Sequence, residues 1–481
     1  MQVWQSILVV MEQTVTPPTD KLPGRDTPKD HAPGMADRRL PRMRSWRLVC
    51  LFVGLLVLYC ATVTYTEYAV NDVVSADLAS WRIANTGAPW LDSLDYARLV
   101  GRPDLWVLTA ANGHEVSFRS PGPIVAGIPG YFIARVLGAG GWSLVPGGFT
   151  ASLLTVLALL LLFLALRPRL GTPLSAGVVA VLGLTTPLWS VSADGMWTHP
   201  VTVLGVAGMA WACVRERWWL VGVFGGIAVW GRLHTAVIVA VLGLGLAWSR
   251  RQPRIALAIG SISTSILALS AVWCHWLYGT WSPLGAYNID YYSGQVLGDS
   301  GGSLLHRLVN NLGLWVAPDR GILVWSPMLL VLLPALVRSW RSLPDWSRWL
   351  VLGGVVYTFV QGQLNPFSGG SGFFGYRLTL ELLMCVAPAF ALSSAAMGSR
   401  ARALIGPVVG LQFGAFALGS IGQGGILNED HLWTKNAYVY ALVHVPALFV
   451  WLALTIWLGW AVGKVVQRRL EPSEPVQVPV S

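Results

Sequence analysis

The chain has 481 residues, 54% of them hydrophobic and only 12% charged, with a formal net charge of +10. Soluble domains carry about 25% charged residues, so lipid is the main solvent for this sequence and a conventional soluble enzyme is excluded. The basic excess follows membrane topology and calls for no nucleic-acid partner.

Residues 1–45 are rich in Pro, Asp and Arg and are expected to form a disordered cytoplasmic tail. Apolar runs then follow at Trp46–Thr66, Thr150–Leu166, Leu174–Trp189, Trp218–Trp248, Ala256–Trp273, Gly321–Val337, Leu350–Phe359, Leu378–Ser393, Leu404–Ile421 and Val439–Val462. A helix crosses the hydrocarbon core in about 20 apolar residues, so the fold class is all-α: a polytopic membrane protein with roughly twelve transmembrane helices over 46–465. The first run lacks a small-x-small cleavage site behind it and reads as an uncleaved anchor. Trp218–Trp248 is long enough for two short helices broken near Gly231. The five cysteines, Cys50, Cys60, Cys213, Cys274 and Cys385, fall within or beside apolar runs and form no CxxC pair, as small packing residues do.

Arginines before the first run (Arg38, Arg39, Arg42, Arg44, Arg47) and beside later ones (Arg167/Arg169, Arg250/Arg251/Arg254, Arg400/Arg402) orient the chain. They place both termini in the cytoplasm of a bacterial cell, with residues 466–481 as a second cytoplasmic tail. Two long loops then lie outside, 67–121 and 274–320. The first holds seven acids: Glu67, Asp72, Asp77, Asp92, Asp95, Asp104 and Glu115. Its segment Val73–Ala84, and Pro123–Leu137 just after it, suit helices at the membrane interface.

Carboxylates gathered at one water-facing rim suggest a reaction site. Asp72 and Asp77, just beyond the first run, are candidates for a catalytic base, because partial desolvation raises a carboxyl pKa. Either Asp72 or Ser75 also suits a helix N-cap. Arg119, Arg320 and Arg377 are candidates to grip a phosphate with paired N–H donors. The alternative is an ion pair, with Asp319 for Arg320 and with Glu381 for Arg377 at i,i+4. Outer turns also combine aromatic rings, which stack on sugar faces, with hydroxyl-binding groups: Asp194, Trp197 and His199; His114 and Glu115; Tyr287-Asn288-Ile-Asp290-Tyr291-Tyr292; and Tyr376. An aromatic belt at the interface accounts for the same rings one by one. Arg232 and His234 interrupt an apolar run, and ionisable residues at depth are functional suspects. Asp92, Asp95 and Asp104 suit solvation of their loop, and no metal or cofactor is expected. No P-loop, Rossmann glycine pattern or HExxH occurs.

Four stretches together resemble the GT-C superfamily of multispanning glycosyltransferases. They are Asn71-Asp72 to Asp77 after the first run, Gly195-Met-Trp197-Thr-His199-Pro, Asp319-Arg320-Gly-Ile-Leu-Val-Trp325-Ser-Pro327, and Gly369-Gly-Ser-Gly-Phe-Phe-Gly375-Tyr376-Arg377. In the last, Tyr376 stands where the family pattern has Pro. The resemblance implies a polyprenyl-phosphate-linked sugar as donor and inverting transfer to a glycan, lipid or protein hydroxyl of the cell envelope. Asp72 or Asp77 would take the acceptor's proton. Arg377, with Arg119, Arg320 or His199, would hold the departing phosphate. Trp197, Asp194, His114, Glu115, Tyr287 and Tyr376 would contact sugar or acceptor. The Arg-rich composition suggests arabinofuranose or mannose as the sugar. A flippase for lipid-linked saccharides, or a glycan ligase or polymerase, shares the same topology.

Overall fold

The computed structural model describes residues 45–65, 69–101, 105–287, 303–422 and 432–470. Both tails, Glu67, Asp104, the Asn288–Tyr292 stretch and His431 lie outside the described residues.

The described chain is a helical bundle with one two-stranded hairpin. In order it comprises α1 (Ser45–Thr62), α2 (Asn71–Thr86), α3 (Tyr96–Val100), β1 (Val107–Thr109), β2 (Glu115–Ser117), α4 (Pro121–Val136) and α5 (Val145–Leu184). Then come α6 (His199–Val214), α7 (Trp218–Gly231), α8 (Ala236–Arg250), α9 (Pro253–Tyr278), α10 (Leu304–Val316) and α11 (Ile322–Trp325). The last are α12 (Met328–Ser339), α13 (Asp345–Leu364), α14 (Leu380–Ser393), α15 (Ser399–Ile421), α16 (Ala437–His444) and α17 (Ala447–Leu470).

Among the described residues six stretches are helical, long and apolar enough to cross a bilayer: Ser45–Thr62, Val145–Leu184, Leu233–Arg250, Pro253–Tyr278, Ser399–Ile421 and Ala447–Gln467. The protein is therefore a multi-pass membrane protein. Helices His199–Val214, Trp218–Gly231 and Leu380–Ala396 are apolar but shorter. The 40-residue α5 is two helices end to end: Gly171 is non-helical (φ 73°, ψ 167°), between Pro168 and Pro173. Proline removes a helical N–H and blocks the turn before it, which breaks the ladder at that point. The expected break near Gly231 is also present, since α7 ends there and Arg232 takes an extended backbone.

The core lies between α5, α6, α7, α8, α13 and α14, where Leu159, Leu162, Val203, Val206, Leu242, Leu350 and Leu383 are buried. The helix expected at 73–84 runs from Asn71 to Thr86, and its residues from Asp72 to Ser80 are all buried against protein. Small side chains permit this: Ser80 donates across to the Ile124 carbonyl of α4 at 2.9 Å. A left-handed Gly87 (φ 75°) closes α2 with an N–H to the Ile83 carbonyl. β1 and β2 pair antiparallel, with Leu108 opposite Val116. They end just before Arg119, and Ser120 donates to the Gly231 carbonyl at 2.8 Å. That bond draws the first loop onto the break between α7 and α8.

Candidate functional site: an arginine-clamped carboxylate

Asp72 is in the first turn of α2, where a carboxylate favours the positive end of the helix dipole. It is not a cap: the N-cap is Val70, with no side-chain bond. Its Oδ1 accepts from Arg119 Nη1 at 3.1 Å and its Oδ2 from Arg377 Nη1 at 2.5 Å. Asp72 is only 8% exposed. Burial alone raises its pKa, but Arg119 and Arg377 outweigh that and hold it below the ordinary value. The expected raised pKa is thus reversed in the free protein, because a buried carboxylate follows its charged partners once they are close.

Each arginine is held from behind. The Arg119 guanidinium lies over the Trp106 ring at 5.0 Å, and Tyr278 Oη accepts from its backbone N–H at 3.1 Å. Arg377 lies over Trp197 at 4.6 Å and over Phe373 at 5.3 Å. Such cation–π seats fix the guanidinium plane while leaving N–H groups free for an anion. Arg377 ends a turn in which Gly369, Gly370, Gly372 and Gly375 all have positive φ. A Cβ on Gly372 would collide with Val70, so the turn packs directly on the residue that starts α2. This contact brings Arg377 to Asp72.

A second polar layer lies beside the first. His199 begins α6, and its Nδ1 bonds Glu381 Oε1 at 2.8 Å. Thr202 donates to the same oxygen at 2.7 Å. Arg232 Nη1 is 3.9 Å from Glu381 Oε2, with its Nε on Thr198 Oγ1 at 3.0 Å. His234 bonds Gln361 and stacks on Tyr357 at 5.1 Å. Glu381 is therefore not the i,i+4 partner of Arg377; it faces His199 and Arg232, and Arg377 takes Asp72. Five buried donor or ring nitrogens of this region have no hydrogen-bond partner: Arg119 Nε, Arg377 Nε, Trp197 Nε1, His199 Nε2 and Gln361 Nε2. Buried polar atoms normally find partners. Three arginines against two carboxylates, with orphan N–H groups, give this cluster an excess of positive charge and spare donors that suit an anion.

The structure thus brings together Asp72, Arg119, Arg377, Trp197, His199 and Arg232 of the expected residues, with Glu381 as the partner of His199 and Arg232. Tyr287 borders the group, its hydroxyl accepting from the Leu233 N–H at 3.0 Å. Other candidates lie elsewhere. Asp77, five residues beyond Asp72, points to another face of the helix, against Gly147 of α5. It is 0% exposed, and neither carboxylate oxygen has a hydrogen bond. Burial pushes its pKa well above the usual value, and the Tyr131 hydroxyl beside it donates to the Ser143 carbonyl at 2.9 Å. Asp194 accepts from the Thr64 N–H at 2.9 Å and its hydroxyl at 3.0 Å, which fastens the end of α1. Arg320 pairs with Asp319 at 3.1 Å and donates to the Ser368 and Gly375 carbonyls, bracing the glycine turn from below. Tyr376 is buried on Ser326 at 2.8 Å. His114 and Glu115 are on the hairpin. His114 stacks on Trp90 at 4.4 Å and pairs with Asp92 at 2.6 Å. The Glu115 N–H and then His114 hold Asp92 below its usual pKa.

Sequence reasoning missed Trp106, Phe373, Thr198, Thr202 and Tyr357. Their signal was only proximity to candidate arginines and histidines, which many apolar neighbours share. Among the described residues no group of three or more His, Cys, Asp or Glu is placed to hold a metal ion.

No protein-family description matches the sequence, and no curated protein matches it. Among solved structures, the chain is similar to apo ArnT from Cupriavidus metallidurans, at 14% identity over 87% of this chain and 76% of that one, with a TM-score of 0.45. It is also similar to the Archaeoglobus fulgidus oligosaccharyltransferase in complex with zinc and sulfate. There the identity is 12%, over 90% of this chain and 59% of that one, with a TM-score of 0.41. At these values the likeness assigns no residue and no substrate.

Proposed function

We propose that the protein is an inverting glycosyltransferase that takes its sugar from a polyprenyl-phosphate-linked donor. The observation that carries this reading is the Asp72 carboxylate held by Arg119 and Arg377, beside Arg232, with unpaired N–H groups around it. A donor phosphate would engage the two clamping arginines. Its negative charge would offset their field at Asp72, and the carboxylate would regain basicity. Asp72 would then accept the proton of the acceptor hydroxyl. The acceptor oxygen would bond to the sugar C1 as the C1–O bond to phosphate breaks on the opposite face. The polyprenyl phosphate would depart with the bond's electrons, its added charge held by Arg377 and Arg119. Fixed donors aimed at developing charge contribute about 3 kcal/mol each in a poorly hydrated site.

Within this proposal, residues 46–465 form the catalytic domain in a bacterial cytoplasmic membrane, with the pocket on the outer side and both termini inside. The acceptor is a hydroxyl of a cell-envelope glycan, lipid or protein. The sugar we propose is arabinofuranose or mannose.

Purified protein in lipid nanodiscs, given a polyprenyl-phosphate-linked sugar and an acceptor glycan, tests the reading. Glycosylated acceptor should form with the native chain and fall to background with Asp72→Asn. Normal transfer by Asp72→Asn would remove Asp72 as the base. Movement of the labelled lipid-linked sugar across sealed vesicles, with no modified acceptor, would make the protein a flippase instead.

A further inference from the structure

Helix α10 (Leu304–Val316) carries an apolar stripe on its exposed side. Leu304, Leu305, Leu308, Val309, Leu312 and Val316 are all exposed, between 39% and 73%. At about 100° per residue they cover an arc of about 140° on one side of the helix. The buried residues Asn310, Gly313 and Leu314 occupy the opposite side. A stripe of six exposed aliphatic side chains in water would be costly and would promote association.

The attachment of α10 tells what covers the stripe. Asn310 Nδ2 donates to the Gly362 and Asn365 carbonyls, each at 2.6 Å, and its Oδ1 accepts from the Phe367 N–H at 2.5 Å. These are the last residues of α13 and the turn that follows it. Along α13 itself, the apolar side chains of Val355, Val356, Phe359 and Leu364 are exposed as well. Gly313 of α10 meets the Phe367 ring, which packs on half-exposed Trp433 at 5.2 Å. The buried side of α10 is thus fixed to the end of α13, which leaves the stripe turned away from the bundle, with an aromatic residue of the kind that sits at headgroup depth close by.

We infer that α10 is an interfacial helix whose apolar face is seated in the lipid leaflet at the pocket end of the bundle. The occupant is the acyl-chain and headgroup boundary of the bilayer. Its seat also sets the height of the 365–379 turn and, on the reading given above, of Arg377 relative to a lipid-borne phosphate.

The test uses the full chain in nanodiscs whose lipids carry a spin label near the top of the acyl chain. The five native cysteines are replaced, and a single environment-sensitive fluorophore is attached in turn through Leu305→Cys, Leu308→Cys, Leu312→Cys, His306→Cys or Arg307→Cys. Seating in the leaflet predicts quenching at 305, 308 and 312 about threefold stronger than at 306 and 307. Equal quenching at all five positions overturns the inference. So does blue-shifted but unquenched emission at 305, 308 and 312, which would mean that protein covers the stripe. A photo-crosslinking amino acid at 308 or 307 of the chain with its cysteines intact gives a second measurement: lipid adducts at 308 and not at 307 support the seat, and their absence at 308 overturns it. No sugar donor is present, so these outcomes are separate from the fate of the glycosyltransfer reading.

Discussion

Asp72 and Asp77 show how far one helix turn decides the fate of a carboxylate. Burial acts on both in the same direction, but Asp72 has two guanidinium partners and Asp77 has none. For Asp72 the free protein holds the carboxylate ionised and weakly basic. If the donor phosphate draws off the arginines, the pKa rises in the complex. The acid limb of kcat should then lie at higher pH than that of kcat/KM, which reports the free enzyme; a pH–rate series on the native chain measures both. On the proposed reading, Asp72→Asn should cost about 10²- to 10⁴-fold in kcat, and Arg377→Gln about 10²- to 10³-fold. For Asp77 the shift is upward, so folding favours the protonated form. Below the unfolded pKa of about 3.9 the group is neutral in both states and no penalty exists. As pH rises past that value the unfolded state gains by ionising, and stability is lost until the folded group ionises as well. Asp77→Asn should therefore raise the unfolding temperature at pH 7, with the gain vanishing near pH 4, as thermal unfolding across pH would show.

At the scale of elements, the glycine turn between α13 and α14 sets the site. Its backbone enters left-handed conformations that a side chain resists, and Gly372 is closely apposed to Val70. Arg320 and Asp319 brace it, and Tyr376 fastens it to Ser326. Gly372→Ala should loosen Arg377 without touching its charge. On the proposed reading the expected outcome is about a tenfold or greater loss of transfer, since small misplacements of a group that acts in the reaction are expensive, with most of the helical circular dichroism retained. Tyr376 exchanges a hydroxyl bond with Ser326 here that a proline at this position would have no group to make.

Across the whole molecule, segments far apart in sequence converge on one end of the bundle: Asp72 and Arg377 are 305 residues apart, and His199 and Glu381 are 182 apart. Glu381 joins α14 to α6 and to the break after α7. Removing one partner of a buried charge group leaves the others uncompensated, at about 3–5 kcal/mol. Glu381→Gln should destabilise by that order, and Glu381→Gln with Arg232→Gln by less than the sum of the two single changes. A double-mutant cycle on thermal or denaturant unfolding checks this coupling.

The amino-acid sequence by itself determined the class of molecule. The length of apolar runs decides which segments cross a bilayer, and the break at Gly231 and the acidic character of the first loop are equally local. It also marked Asp72, Arg119, Arg377, Trp197 and His199, because ionisable and aromatic residues in such company are conspicuous. Only the tertiary structure decided their partners. The i,i+4 spacing of Arg377 and Glu381 suggested a pair, yet Asp72 and His199 took one each. The separation of Asp72 from Asp77 was equally hidden, because a five-residue step rotates a side chain to another helix face, and only packing against α4 and α5 says which face is closed. Coulomb attraction between buried groups acts through space, so charge pairing in this protein follows the packing of helices and not their order along the chain.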